Sequence, residues 1–274
     1  MNEVLIEAAA LRRELDGEAP PRVLDCRARL GDPDAGDRLW REGHVPGSHH
    51  LDLDRDLAGP PGEGGRHPLP EPAAFAATLR RLGLDPARPV VVYDDMGGQL
   101  AAARAWWMLA RWAGHPDVRV LDGGLRAWQD AGGALPLGRE PLPAASDWRP
   151  AFRGEDLADA REVFSGRALK VDARARARFR GESEPVDPVA GHIPGAVCRP
   201  SADNLDAHGR FKAPERLDAE LPHGESPIAY CGSGVTACHD ILAYAVAGRP
   251  LPRLYPGSWS EWIRDPARPV ATGD

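Results

Sequence analysis

Four short blocks of this chain of 274 residues occur twice in the same order, and a chain built this way folds as two related units. Val23-Leu24-Asp25-Cys26-Arg27 is answered by Lys170-Val171-Asp172-Ala173-Arg174, the two aspartates standing 147 positions apart. Gly43-His44-Val45-Pro46-Gly47 returns as Gly191-His192-Ile193-Pro194-Gly195, with 148 positions between the histidines. Val90-Val91-Val92-Tyr93-Asp94 matches Pro227-Ile228-Ala229-Tyr230-Cys231 at a separation of 137. The last pair is Leu121-Asp122-Gly123-Gly124-Leu125-Arg126-Ala127-Trp128 and Leu254-Tyr255-Pro256-Gly257-Ser258-Trp259-Ser260-Glu261-Trp262. Four coincidences at a nearly constant offset are not chance. The expected division is a first domain over 5–131, a linker over 132–154 rich in Pro, Gly and polar residues, and a second domain over 155–268.

Within each unit, apolar runs too short for helices alternate with stretches of helical spacing. Val90–Tyr93 and Ile228–Tyr230 predict buried strands, and Ala101–Ala113 and Val235–Ala247 predict helices. That alternation implies an α/β fold, each domain a mostly parallel sheet flanked by helices. Trp106, Trp107 and Trp112 are expected to pack the first of these helices on its sheet.

Composition excludes several functions. With Lys+Arg 34 against Asp+Glu 41, the formal charge is −7, and a nucleic acid partner would need a basic face. No apolar run approaches the length of a membrane span. The N-terminus has Glu3 and Glu7 inside its apolar stretch, unlike a secretory signal, so the expected compartment is the cytoplasm. The cysteines Cys26, Cys198, Cys231 and Cys238 contain no CxxC pair, so neither a disulfide framework nor a structural zinc site is expected.

Cys231 is the exception among them. It follows a predicted strand and heads Cys231-Gly232-Ser233-Gly234-Val235-Thr236, just before a helix. Ligands of open α/β folds bind beyond the C-terminal strand ends. Two glycines let successive N–H groups turn inward, and with the helix N-terminus they favour an anion. The loop is therefore expected to favour the Cys231 thiolate as a nucleophile, with Gly232, Gly234, Val235 and Thr236 as its binding backbone. The first repeat has Asp94 at this position, a carboxylate in place of the thiol, so that unit is expected to be catalytically silent. Cys26, Cys198 and Cys238 are read as packed thiols, and His44 and His192, present in both repeats, as structural.

On these motifs the chain resembles the tandem rhodanese family, and within it the 3-mercaptopyruvate sulfurtransferase branch. Cys231-Gly232-Ser233-Gly234-Val235-Thr236-Ala237, Gly257-Ser258-Trp259-Ser260-Glu261-Trp262 and the paired HxPG motifs carry the resemblance over about 5–265. It implies two tandem rhodanese-like domains and sulfur transfer through a Cys231 persulfide without metal or cofactor. The donor is a small anion, mercaptopyruvate or alternatively thiosulfate; the acceptor is a thiol, a thioredoxin-like protein or cyanide. The resemblance further implies a Ser–His–Asp arrangement of Ser233, His67 and Asp54, and a grip on the donor's anionic group by Arg178, with Arg180 its rival. The branch also has a second arginine shortly before GHIPG. Here that stretch, Glu184–Ala190, has none, and Arg199 is the candidate substitute. A cation-free loop suits the monoanion mercaptopyruvate better than dianionic thiosulfate. A Cys-dependent phosphatase would need Arg at position 237, which is Ala, and the intact Cys231 argues against the remaining alternative, a non-catalytic sulfur-carrier or regulatory binding module.

Overall fold

The computed structural model describes residues 3–274 and divides into two compact units. The first takes residues up to Gly59, then Pro70–Arg153 and Ala207–Phe211; the second takes Pro60–Leu69, Gly154–Asp206 and Lys212–Asp274. The short segment 60–69 thus belongs with the second unit although it stands in the first repeat. The expected linker lacks regular structure and belongs with the first unit as far as Arg153.

The first unit runs β1 (Leu5–Ile6), α1 (Ala8–Leu15), β2 (Arg22–Asp25), α2 (Ala35–Glu42), β3 (His49–His50) and α3 (Pro72–Arg81). It continues with β4 (Val90–Tyr93), α4 (Ala102–Trp107), β5 (Val118–Leu121) and α5 (Gly124–Asp130). Its sheet is parallel throughout, in the order β1-β5-β4-β2-β3. The second unit runs α6 (Ala160–Phe164), β6 (Lys170–Asp172), α7 (Arg176–Phe179), β7 (Ala196–Cys198), α8 (Pro214–Glu220), β8 (Ile228–Tyr230), α9 (Ala237–Val246), β9 (Arg253–Leu254) and α10 (Ser258–Trp262). Its parallel sheet has the order β7-β6-β8-β9. The topology is that of the first unit without its edge strand, and a lone parallel bridge from Leu157 to Leu254 stands where β1 pairs with β5.

Every residue of β4 and β8 is buried, as expected for strands covered on both faces. The predicted helix over 101–113 is not one regular helix. After α4 it widens at Met108–Trp112, where the Ala113 N–H reaches back five residues to the Met108 carbonyl. Trp106, Trp107 and Trp112 are buried, as expected. Among the described residues no helix is long and apolar enough to cross a membrane.

The repeated sequence blocks meet at one brace in each unit. In the first, buried Arg27 donates to both carboxylate oxygens of Asp25 and to the Gly43 carbonyl at 2.7 Å. Tyr93 donates its hydroxyl to Asp25 at 2.6 Å and accepts the Val45 N–H at 3.1 Å. In the second, Arg174 joins Asp172 to the Gly191 carbonyl at 2.7 Å, and Tyr230 accepts the Ile193 N–H at 3.2 Å. Strand end, HxPG turn and central-strand tyrosine are thus tied together twice. His44 and His192 lie beside the brace: the first bonds the Trp40 carbonyl, and the second bonds the Phe179 carbonyl while stacking on the Phe179 ring at 3.7 Å. Removing one partner of a buried ion pair leaves an uncompensated charge, which costs roughly 3–5 kcal/mol. Arg27→Met is therefore expected to lower the urea-unfolding midpoint sharply, as followed by tryptophan fluorescence.

Candidate active site

The site is built around the loop after β8. Cys231 is 2% exposed. Its N–H is donated to the Ser258 hydroxyl at 3.1 Å, and that hydroxyl donates to the Tyr255 carbonyl at 2.9 Å. Ser258 holds this position at φ +53, a strained conformation for a non-glycine residue of the kind that clusters at functional sites. The first N–H groups of α10 take up the loop carbonyls, Trp259 to Cys231 at 3.0 Å and Ser260 to Gly232 at 2.9 Å. The recurring GSWSEW block is therefore the wall that holds the cysteine loop. Thr236 precedes α9, which begins at Ala237, within two positions of the expected start at Val235.

The first unit shows what such a loop does with an anion. Asp94 is wholly buried, and its carboxylate accepts N–H bonds from Met96 (2.9 Å), Gly98 (2.8 Å), Ala101 (3.3 Å) and Ala102 (3.2 Å). Burial outweighs these donors and keeps its pKa above the ordinary carboxylate value.

The segment 60–69 supplies the next groups. Arg66 donates its N–H to the Ser260 hydroxyl at 3.1 Å, and Arg264 reaches the Gly62 carbonyl at 3.0 Å. Gly65, at φ +96, lies so close that a Cβ there would stand 2.6 Å from the Ser260 hydroxyl and 2.8 Å from the Gly257 carbonyl oxygen. So anchored, His67 brings Nδ1 to 2.7 Å from Ser233 Oγ. Two members of the expected Ser–His–Asp arrangement thus meet within the second unit. Asp54 stands in the first unit, where its N–H is donated to Asp52 at 2.9 Å.

Arg178, on α7, lies over the loop: a Cβ on Gly232 would stand 3.4 and 3.6 Å from its two terminal nitrogens. The rival Arg180 turns to Asp274 instead, at 2.6 Å. Arg199, the candidate second arginine, is not in the site. It is buried against Asn204 and Glu220, where its guanidinium anchors the turn after β7. The group that sequence reasoning missed is Arg66, whose terminal nitrogen would be 2.9 Å from the same Gly232 Cβ. Its adjacency to His67 was the available signal.

An alternating chain of charge runs from the brace to the loop. Arg174, bound to Asp172, also reaches Glu184 at 3.3 Å, and its guanidinium lies 4.7 Å from the Trp259 ring centroid. Glu184 binds Arg178 at 2.7 Å. Burial alone would keep the Glu184 pKa high, but hydrogen bonds from Arg178, Asp187 and Val186 outweigh it and hold it below the ordinary value. Asp187 then bridges Arg178, at 3.2 Å, and Arg66. Its pKa is raised by burial, which the two guanidiniums only partly offset.

The remaining cysteines lie outside the loop or are packed beneath it. Cys26, fully buried, is pushed far up by burial and by Asp25 and Asp94, and Cys198 is pushed to about 11 by burial and Asp172. Cys238 is packed with its sulfur 3.5 Å from the Gly234 carbonyl. No cluster able to hold a metal ion occurs among the described residues.

A doubled parallel α/β unit with one cysteine loop at a central strand end defines a class: the chain belongs to the rhodanese family, and it is a sulfurtransferase. The rhodanese-like domain matches residues 7–131 and again 157–265. A Pseudomonas aeruginosa protein named as a probable 3-mercaptopyruvate sulfurtransferase is 53% identical over 271 residues, covering 92% of each chain. A Mycobacterium tuberculosis protein bearing a thiosulfate sulfurtransferase name is 43% identical, covering 99% of this chain and 98% of its own. The crystal structure of SseA, an Escherichia coli 3-mercaptopyruvate sulfurtransferase, superposes with a TM-score of 0.81 at 31% identity, covering 95% of this chain and all of that one.

Gly234 and Gly232 give opposite expectations. Gly234 has φ +76, and a Cβ there would lie 2.3 Å from the Pro256 carbonyl oxygen. Left-handed backbone alone costs a non-glycine residue roughly 1–2 kcal/mol, so Gly234→Ala is expected to lower the melting temperature of the protein. Gly232→Ala meets only the ends of flexible arginines and is expected to keep the melting temperature. Parallel thermal denaturation of the two variants checks the contrast.

Proposed function

We propose that the chain moves a sulfane sulfur from 3-mercaptopyruvate to a thiol or cyanide acceptor through a persulfide on Cys231. The observation that carries this reading is the convergence on one loop of Cys231, the hydrogen-bonded pair His67–Ser233, and the guanidiniums of Arg66 and Arg178. The names borne by similar proteins point the same way.

In the first half-reaction the Cys231 thiolate attacks the donor sulfur. The new S–S bond forms as the donor's C–S bond breaks, and the electron pair leaves on carbon as the enolate of pyruvate. His67 and Ser233 carry a proton from the donor sulfhydryl to that carbon, general acid–base work worth roughly 100-fold or more. Backbone N–H groups of Gly232, Gly234, Val235 and Thr236 stabilise the persulfide anion. Arg178 orients the donor through its carboxylate. In the second half-reaction an acceptor thiolate, from a small thiol or a thioredoxin-like protein, or cyanide, takes the outer sulfur, and the electron pair of the S–S bond returns to Cys231.

Charge favours the monoanionic donor. Arg66 and Arg178 are matched by Asp187 and Glu184, so the site gives a dianion such as thiosulfate little net attraction. Mass spectrometry after exposure to donor is expected to show a gain of about 32 Da on Cys231, the mass of one sulfur, absent from Cys231→Ser. With cyanide as acceptor, kcat/KM is expected to be higher for 3-mercaptopyruvate than for thiosulfate, and the reverse order would overturn the donor assignment. His67→Gln and Ser233→Ala are each expected to lower kcat by roughly 100-fold.

A further inference from the structure

Asp187 bonds two guanidiniums that flank Gly232, and among the described residues its side chain has no other hydrogen-bond partner. One oxygen takes Arg66 and the other takes Arg178, the geometry with which a bound carboxylate would bridge them. The neighbouring Glu184 is different. It accepts from Arg178 through two nitrogens and from the N–H groups of Val186 and Asp187, and it also pairs with Arg174, so it is built into the frame. Asp187 lies instead in an irregular stretch beside the exposed Val186. The Arg66 and Arg178 side chains are 31% and 20% exposed, open enough for a solute anion to reach.

We propose that Asp187 is an internal stand-in for the donor's carboxylate: the donor binds by displacing it from Arg66 and Arg178, and Arg66 is the second arm of the grip. The donor class rests on the reading under Proposed function; the exchange of carboxylates does not. It is an exchange of like for like, one carboxylate taking the place of another between the two guanidiniums. With Asp187 in place the four groups carry no net charge. With Asp187 withdrawn, Arg178 keeps Glu184 as its partner, and the positive charge of Arg66 is left for a monoanion. Asp187 thereby sets both donor affinity and the preference between mono- and dianions.

The test uses the whole chain with Asp187→Asn, Asp187→Ala and Arg66→Met. Cys231 is alkylated in parallel by iodoacetate, which carries a carboxylate, and by iodoacetamide, which does not. In both reactions sulfur displaces iodide, so the ratio of the two rates reads attraction for the carboxylate and cancels effects on cysteine access or folding. The ratio is expected to rise several-fold in both Asp187 variants and to fall in Arg66→Met. In steady state, KM for 3-mercaptopyruvate is expected to fall in the Asp187 variants and to rise in Arg66→Met, with the kcat/KM ratio moving toward thiosulfate in the Asp187 variants. A ratio that is unchanged or lower in the Asp187 variants would make Asp187 a brace for the arginines and overturn the proposal. If 3-mercaptopyruvate is not a donor but the alkylation ratio still rises, the donor assignment fails and the displacement stands. If 3-mercaptopyruvate is turned over and the ratio does not rise, the displacement fails alone.

Discussion

Each unit is organised by a buried aspartate–arginine pair at a strand end. Asp25 with Arg27 and Asp172 with Arg174 satisfy charge on charge, and each arginine spends a remaining donor on the carbonyl of the following HxPG turn. A leucine pair of the same volume could be as stable. It could not specify which turn meets which strand, and that choice fixes the loops at the carboxyl ends of the sheet. In the second unit the same arginine goes further, touching Glu184 and lying on Trp259. The frame and the cysteine loop therefore share a member.

The two units also show how one backbone device is put to two uses. The loop after β4 closes its N–H groups on a carboxylate supplied by its own sequence, Asp94. The loop after β8 has Cys231 at the matching position, followed by glycines and a helix start. The loops Asp94-Asp95-Met96-Gly97-Gly98-Gln99 and Cys231-Gly232-Ser233-Gly234-Val235-Thr236 share their place after the central strand but little sequence. In the first loop the Asp94 carboxylate takes up the N–H groups of Met96 and Gly98; in the second a thiol stands at the head of the loop.

Much of this was legible in the residues because it rests on local rules. Buried parallel strands show as apolar runs, and a strand–glycine–helix junction shows as a Gly-rich loop; β4, β8 and the Cys231 loop all follow from these. The pairing of His67 with Ser233 came only through resemblance, since 166 positions separate them. Arg66 was missed for a related reason. Its role depends on segment 60–69 lying on α10, a tertiary fact with no periodicity behind it. Arg199 misled because a buried arginine can serve side-chain and carbonyl acceptors of a turn as readily as a ligand. The widened turn at Met108–Trp112 keeps an apolar pattern that a regular helix would also show.

The membership of Pro60–Leu69 in the second unit, and of Ala207–Phe211 in the first, bears on how such a chain can evolve. Duplication of an ancestral unit leaves two copies that could in principle be parted again, one kept and the other lost. Once each copy has lent a segment to the other, that route is closed. A gene fragment encoding only the second repeat would carry Cys231 and Ser233 but neither Arg66 nor His67. The repeat that carries Asp94 thus also carries, within segment 60–69, the histidine that meets Ser233, so the two repeats are not interchangeable halves.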